Sequence, residues 1–258
     1  MLRHFTINTL ALAVFAALLL TGFFGSVPVW MYVLPVAIWL TITIIGSFQI
    51  KWNYHLQSLN HNYKTKIEAV AITFDDGPHP EFTPKVLELL KKHNAKATFF
   101  LIGKNAEAQP DLVKQIIAEG HTIGNHSYSH SGRFGFFSTK KIESELKKTD
   151  ALITEISGLK LKLFRPPFGV TNPNIKKALK KTGHHSIGWS KRSFDTMNIS
   201  DEKIFKRITY KLQKGDIILL HDTSQKTVGV LEQLLLFLRK RNLQSVSADQ
   251  LLEIKAYV

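Results

Sequence analysis

The sequence predicts a parallel α/β sheet closed into a barrel and preceded by two transmembrane helices. Three observations predict it. Short apolar runs alternate with amphipathic helical stretches from Glu68 onward. Polar, chemistry-bearing residues cluster after the first, third, fourth, fifth and sixth of those runs. Residues 4–50 contain no Asp, Glu, Lys or Arg.

The charge-free stretch comes first. As a helix its 47 residues span about 70 Å, enough to cross a ~30 Å hydrocarbon core twice. Gly22, Gly25, Ser26 and Pro28 break it in the middle, leaving spans near Ile7–Phe24 and Val29–Ile50. A cleaved signal peptide is the alternative for the first span. The basic start and the apolar run suit one, but no convincing small-x-small cleavage site lies near Gly25. Trp30, Tyr32, Trp52 and Tyr54 suit membrane–water interfaces. The chain therefore divides into a membrane anchor (1–52), a polar linker (53–66) and a catalytic domain (67–258).

Beyond residue 50, the remaining 33 Lys and Arg against 20 Asp and Glu leave a charge of +13. Such an excess favours anionic lipid heads, acidic polymers or nucleic acid. No nucleic-acid motif accompanies it, so membrane lipid is the expected partner and nucleic acid is not. There is no cysteine, which excludes disulfides and thiolate metal sites. No feature of the sequence specifies an oligomeric state.

Strands are expected near Val70–Phe74, Ala97–Ile102, His121–Gly124, Leu161–Phe164, Ser186–Trp189, Asp216–Leu220 and Leu243–Val246. Helices between them carry start and stop signals. Thr83-Pro84 and Asn172-Pro173 each pair an N-cap with a proline, and Gly120, Gly158 and Gly183 sit where helices should end. Leu112, Val113, Ile116 and Ile117 keep helical spacing, as do Ile142, Leu146, Ile153 and Ile156; these stripes are core faces. An open sheet would spread the polar strand ends too widely to share one site, whereas a closed barrel brings them to one mouth.

The first run climbs to adjacent carboxylates, Asp75 and Asp76, and stops at Gly77-Pro78. Asn125-His-Ser-Tyr-Ser-His130 follows the third. His126 and His130 are four apart, and one helical turn would put both imidazoles on one face. Two histidines plus one carboxylate make a three-ligand set for zinc or a similar divalent ion, with a fourth position open to water. Arg165, at the end of the fourth run, suits a bidentate pair with a carboxylate. Pro166 and Pro167 stiffen the turn, so a backbone N–H near Phe168 can serve as an oxyanion donor. His221 ends a buried strand and opens a polar loop, a placement that suits general acid–base work.

TFDDG (73–77), HSYSH (126–130), RPPFG (165–169) and LLHD (219–222) together resemble the motifs of the NodB-type polysaccharide deacetylases, carbohydrate esterase family 4, in the family's order. The resemblance covers about residues 67–255. It implies a distorted (β/α)7-8 barrel and metal-dependent removal of acetyl groups from sugars. It makes Asp75 the general base, Asp76, His126 and His130 the metal ligands, Arg165 the residue that orients Asp75, and His221 the general acid. Leu219 would line a pocket for the acetyl methyl. Zn2+ is the expected ion, with Co2+ and Ni2+ as alternatives. One motif departs from the family's. Asp195 matches the Asp that steadies the acid histidine, but Thr196 stands where the family has Trp, and Lys191-Arg192 stand where members are often acidic or neutral. His121, His184 and His185 match no catalytic motif and are expected to be structural.

The function expected is a membrane-anchored N-deacetylase of an amino-sugar glycan, peptidoglycan- or chitin-like, at a bacterial inner membrane. A deacylase of a lipid-linked sugar keeps the chemistry and changes the substrate. A non-catalytic glycan-binding module would be marked by loss of Asp75 or His221, and both are present. A basic membrane-surface adaptor would leave the polar constellation unexplained. Arg3 before the first span and Lys51, Lys64 and Lys66 after the second place the domain on the cytoplasmic face. The resemblance, through relatives acting on exported polymers, points to the outer face.

Overall fold

The structure, a computed structural model, describes residues 3–258. Two apolar helices open it, α1 (His4–Phe24) and α2 (Val29–Phe48). The break at residues 25–28 lets them run antiparallel. Trp39 Nε1–H donates to Asn8 Oδ1 (2.8 Å) near the open end, and the Tyr32 hydroxyl donates to the Leu18 carbonyl (3.0 Å) near the turn. Leu12, Phe23, Val33 and Ile44 are exposed on the hairpin's outer faces, an extent of apolar surface that water does not favour.

The strands that follow are β1 (Ser58–Leu59), β2 (Ala69–Asp75), β3 (Ala97–Leu101), β4 (Thr122–Asn125), β5 (Leu163–Phe164), β6 (His185–Ile187), β7 (Lys191–Arg192), β8 (Ile217–His221) and β9 (Gln244–Val246). Helices α3 (Phe82–Lys92), α4 (Gly103–Ala108), α5 (Pro110–Ala118), α6 (Thr139–Ser157), α7 (Pro173–Thr182), α8 (Asp201–Thr209), α9 (Gln225–Lys240) and α10 (Ala248–Leu252) alternate with them. The sheet order is β1–β6–β5–β4–β3–β2–β8–β7, with β9 beside the start of β2, and all these pairings are parallel. β6 and β7 are joined only by Gly188, Trp189 and Ser190, so one bent segment spans what would be a gap in the ring. The result is a distorted parallel barrel.

Alternation along the strands builds two layers. Val70, Ile72 and Phe74 of β2 face out and join Leu87, Leu90, Leu231 and Leu234 of the surrounding helices. Ala69 and Ala71 face in, with Phe100, Leu163, Ile187, Ile217 and Leu219, and α10 closes that inner core with Ala248 and Leu251. Thr73 and Asp75 share the inward side of β2, and Leu219 and His221 that of β8, which aims the acid and the histidine into the mouth. Asp75 pairs with His221 in register.

Several local features differ from the sequence reading. Residues 53–66 do not hang as a linker. Ser58 and Leu59 pair with Ser186 and Ile187, the Asn62 N–H donates to the Gly215 carbonyl (2.8 Å), and Tyr54, His55 and Leu56 are buried. The second apolar helix ends at Phe48, and Ile50 is already in the barrel's inner core. Gly188 leaves room at the bend for the Asn60 side chain, which a Cβ there would displace. Asn172 caps α7 as expected, accepting from the Ile175 N–H (2.8 Å). Thr83 is no N-cap: α3 starts one residue earlier, and the Thr83 hydroxyl is taken by Asp222 and by the His79 N–H (2.7 Å).

Candidate active site

Asp75, Asn125, Arg165 and His221 stand at or just past the C-terminal ends of β2, β4, β5 and β8, on one rim of the sheet. Arg165 is fully buried, and one Nη1–H donates to Asp75 Oδ1 (2.7 Å). The pair is single rather than bidentate, because the other donors are engaged: Nη1 also reaches Thr73 Oγ1 (2.8 Å), Nε the Ile187 carbonyl (3.1 Å) and Nη2 the Gly188 carbonyl (2.9 Å). The guanidinium lies 4.1 Å from the Phe100 ring centroid. Arg165 thus ties the acid of β2 to the bend after β6 and holds Asp75 in one orientation.

Beside it, Asp76, His126 and His130 converge. Asp76 Oδ1 lies 3.4 Å from His126 Nε2 and 3.2 Å from His130 Nε2, yet is a buried oxygen without an aligned hydrogen bond. His126 Nδ1–H donates to the Arg165 carbonyl (2.7 Å), which leaves its Nε2 lone pair facing the cluster. An orphaned carboxylate oxygen and two imidazole nitrogens within 4.8 Å of one another fit a divalent cation. Burial pushes the Asp76 carboxyl up, but His126 and then His130 outweigh it and hold it well below the usual carboxylate range.

The two histidines meet through a turn, not a helix. Ser127 and His130 have φ of 64° and 45°, in the left-handed region, as do Asp76, Phe168 and Phe194 nearby. Asn125 Oδ1 accepts from the Ser127 N–H (2.8 Å), and buried Glu145 of α6 accepts from both the N–H and the hydroxyl of Ser129 (2.7 Å each). Asn105 holds the Asp76 carbonyl (2.8 Å).

His221 faces this cluster from β8. Its Nδ1–H donates to Asp195 Oδ1 (2.8 Å), and its backbone N–H donates to Oδ2 (2.8 Å). Buried Asp195 also accepts from Ser193 (2.7 Å) and Thr227 (2.9 Å). Burial pulls the His221 imidazole down, but Asp195, with Asp75 and Asp76, outweighs it and raises the ring to about 9. Its neighbour Asp222, wholly buried under Gly77, is pushed up to about 7 by burial.

Phe168 is half exposed; its ring lies 4.7 Å from that of His130, and the Gly169 and Val170 N–H groups are tied to the Pro166 and Pro167 carbonyls. Leu219 is buried on the inner face two residues before His221. Thr196 is exposed, next to buried Asp195. His121 Nδ1 accepts from the Ala97 N–H (3.3 Å), and His184 sits between Thr182 and Asp150, away from the mouth. Sequence reasoning missed Thr73, Asn105, Glu145, Ser193 and Thr227, whose spacing from their partners carries no local signal. Asn125 had one: it directly precedes His126 and supports the turn as an Asx residue.

A carboxylate on a buried arginine, one carboxylate and two imidazoles that could hold a cation, and a histidine–aspartate pair facing both lie together at one mouth of a distorted (β/α) barrel, an arrangement suited to hydrolysis. Residues 62–187 match the polysaccharide deacetylase family. A peptidoglycan-N-acetylglucosamine deacetylase of Bacillus cereus is 38% identical over 73% of this chain and 90% of its own. The peptidoglycan-N-acetylmuramic acid deacetylase PdaA of Bacillus subtilis is 33% identical over 73% of each chain. The crystal structure of a peptidoglycan N-acetylglucosamine deacetylase in complex with 4-naphthalen-1-yl-N-oxidanyl-benzamide superposes with a TM-score of 0.72, at 33% identity, over 77% of this chain and 94% of that one. The chain belongs to the polysaccharide deacetylase family, carbohydrate esterase family 4, and is a glycan deacetylase acting on non-peptide carbon–nitrogen bonds. A pseudoenzyme of the same family from Bacillus anthracis also superposes (TM-score 0.70, 26% identity, 76% of this chain and 69% of that one). The fold alone therefore does not carry activity.

Proposed function

We propose that this protein is a membrane-anchored, metal-dependent N-deacetylase of an amino-sugar glycan of the peptidoglycan or chitin type, with residues 67–258 as its catalytic domain. The observation that carries this reading is the meeting of Asp75–Arg165, Asp76–His126–His130 and Asp195–His221 at one mouth. Asp76, His126 and His130 would hold a divalent ion, Zn2+ first among candidates. Such an ion supplies Lewis acidity, polarising an amide carbonyl and lowering the pKa of water toward ~7. Asp75, held in place by Arg165, takes the proton from the attacking water. The Phe168 N–H donates to the oxygen that gains charge. His221 then gives its Nε2 proton to the departing nitrogen, because an amide nitrogen cannot leave as an anion. Asp195 keeps that imidazole charged and aimed. Leu219 lines the floor near the acetyl methyl. The products are acetate and a free amino sugar.

The anchor is the α1–α2 hairpin, and it is short-coupled. The end of α2 touches the rim of the mouth itself: the Thr171 N–H, just after the Arg165–Gly169 motif, donates to the Ser47 carbonyl (2.8 Å). That contact keeps the mouth near the bilayer and favours a membrane-proximal substrate, including a lipid-linked sugar. Acetate release from chitooligosaccharides, peptidoglycan fragments and lipid-linked sugars tests the reading. Release from at least one N-acetylated sugar is expected. Release from none, by protein loaded with metal, would remove it.

A further inference from the structure

We propose that the cavity at the open end of the hairpin binds the phosphate of an anionic phospholipid headgroup. The inference rests on the membrane-anchor reading. The cavity, of about 1090 Å³, is lined by Arg3, His4 and Thr6 at the start of α1, by His55 after α2, and by Lys176, Lys177 and Lys180 of α7. It lies where both apolar helices meet the globular domain, which is the level of lipid headgroups. Among the described residues, no Asp or Glu lines it.

Four features suit a phosphate there. Arg3, Lys176, Lys177 and Lys180 are exposed and, among the described residues, form no ion pair, whereas neighbouring Lys181 is paired with Glu143 at 2.7 Å. The 21-residue α1 starts at this cavity and no side chain caps its first turn; the His4 N–H is taken by the Tyr54 carbonyl (3.0 Å), and the positive dipole end of the helix lies beside Phe5 and Thr6, which line the cavity. The buried face of α7 (Ile175, Ala178, Leu179) packs on the domain, which fixes the lysines on the opposite side. Finally, His55 is only 6% exposed, lines the cavity and has a buried Nδ1 that has no partner among the described residues. Ser47 Oγ donates to the Thr43 carbonyl (2.8 Å), so His55 Nε2–H donates to Ser47 Oγ (3.0 Å). Burial, with His4 and Lys176 close by, pulls His55 down to about 4, which keeps it neutral while no anion is near. The negative charge of a phosphate in the cavity would favour the doubly protonated ring.

The test uses the full chain in neutral detergent, titrated with phosphatidylglycerol or phosphatidylcholine and read by native mass spectrometry. Wild type should retain one phosphatidylglycerol in preference to phosphatidylcholine. Lys176→Ala/Lys177→Ala/Lys180→Ala should weaken that preference by about fivefold per lysine, about a hundredfold in all. The corresponding triple Lys→Arg variant should keep it, and unchanged thermal melting of both variants would show that the fold is intact. Equal retention of the two lipids, or an alanine variant that binds like wild type, overturns the proposal. Complete displacement of the lipid by millimolar inorganic phosphate also overturns it, because the site would then read free phosphate and not a headgroup. Flotation with phosphatidylcholine vesicles separates the two levels. Protein that floats but shows no headgroup preference removes only this site, whereas protein that does not float removes the anchor and the site together.

Discussion

Replacing Asp195 by Asn probes the acid side of the site. Asp195 accepts four hydrogen bonds, two of them from His221. The substitution nearly preserves shape and removes the charge. In the wild type His221 is raised from 6.5 to about 9 against the pull of burial, a preference of about 3 kcal/mol for the protonated ring. Without Asp195 burial dominates, and the imidazole should fall to or below its ordinary value. A general acid works only while protonated, so activity should be present below the His221 pKa and lost as pH rises through it. The alkaline limb of kcat/KM should move to lower pH, and kcat on the alkaline side should fall by up to about 10²–10⁴, the usual worth of a general acid. A cation bound by Asp76, His126 and His130 lowers the limb in both proteins and leaves the direction of the shift unchanged. The same pair stabilises the fold fully below about 6.5, a contribution lost as pH rises through about 9. Acetate release from a chitooligosaccharide between pH 5 and 10, with metal content measured alongside, is the assay. An alkaline limb that does not move would refute the role given to Asp195.

The two adjacent aspartates should separate on substitution. Asp75→Asn should keep the metal and lower kcat by about 10²–10⁴, the usual worth of a general base, whereas Asp76→Asn should weaken metal binding itself; equal metal loss in both would sink the assignment. Arg165→Met leaves Asp75 buried without its ion pair and should lower stability by about 3–5 kcal/mol in denaturant titration. A loss below about 1 kcal/mol would mean that Asp75 is otherwise satisfied.

What the sequence made legible divides by length scale. The runs at residues 70–74, 97–102 and 216–220 are long and apolar enough to read as strands, and they are strands. β1 and β7 are two residues each, too short to show any period, and exist because neighbouring strands offer them partners. Missing β1 is why residues 53–66 read as a linker. The site motifs were legible because each sits at a strand end next to a turn-forming residue. Their geometry was less so. The His126–His130 spacing suggested a helical turn, but Asn125 and Glu145 offer the backbone other hydrogen bonds, and the chain takes a left-handed turn at Ser127. Glu145 lies on a helix rich in charge and read only by its apolar stripe; its burial under Ser129 depends on how α6 packs. Arg165 looked like a bidentate partner because sequence cannot show the carbonyls of Ile187 and Gly188 that the β6–β7 bend turns toward it.

The most direct measurement of the central claim is the coupling of metal to acetate release in one preparation. The purified full chain, stripped by a chelator and titrated with Zn2+, is assayed on the N-acetylated sugar it accepts. No release is expected from the stripped protein, recovery should saturate at one ion per chain, and His126→Ala should show neither binding nor recovery. Release that persists at full rate in the stripped protein, or that is unaffected by His126→Ala, would contradict that claim.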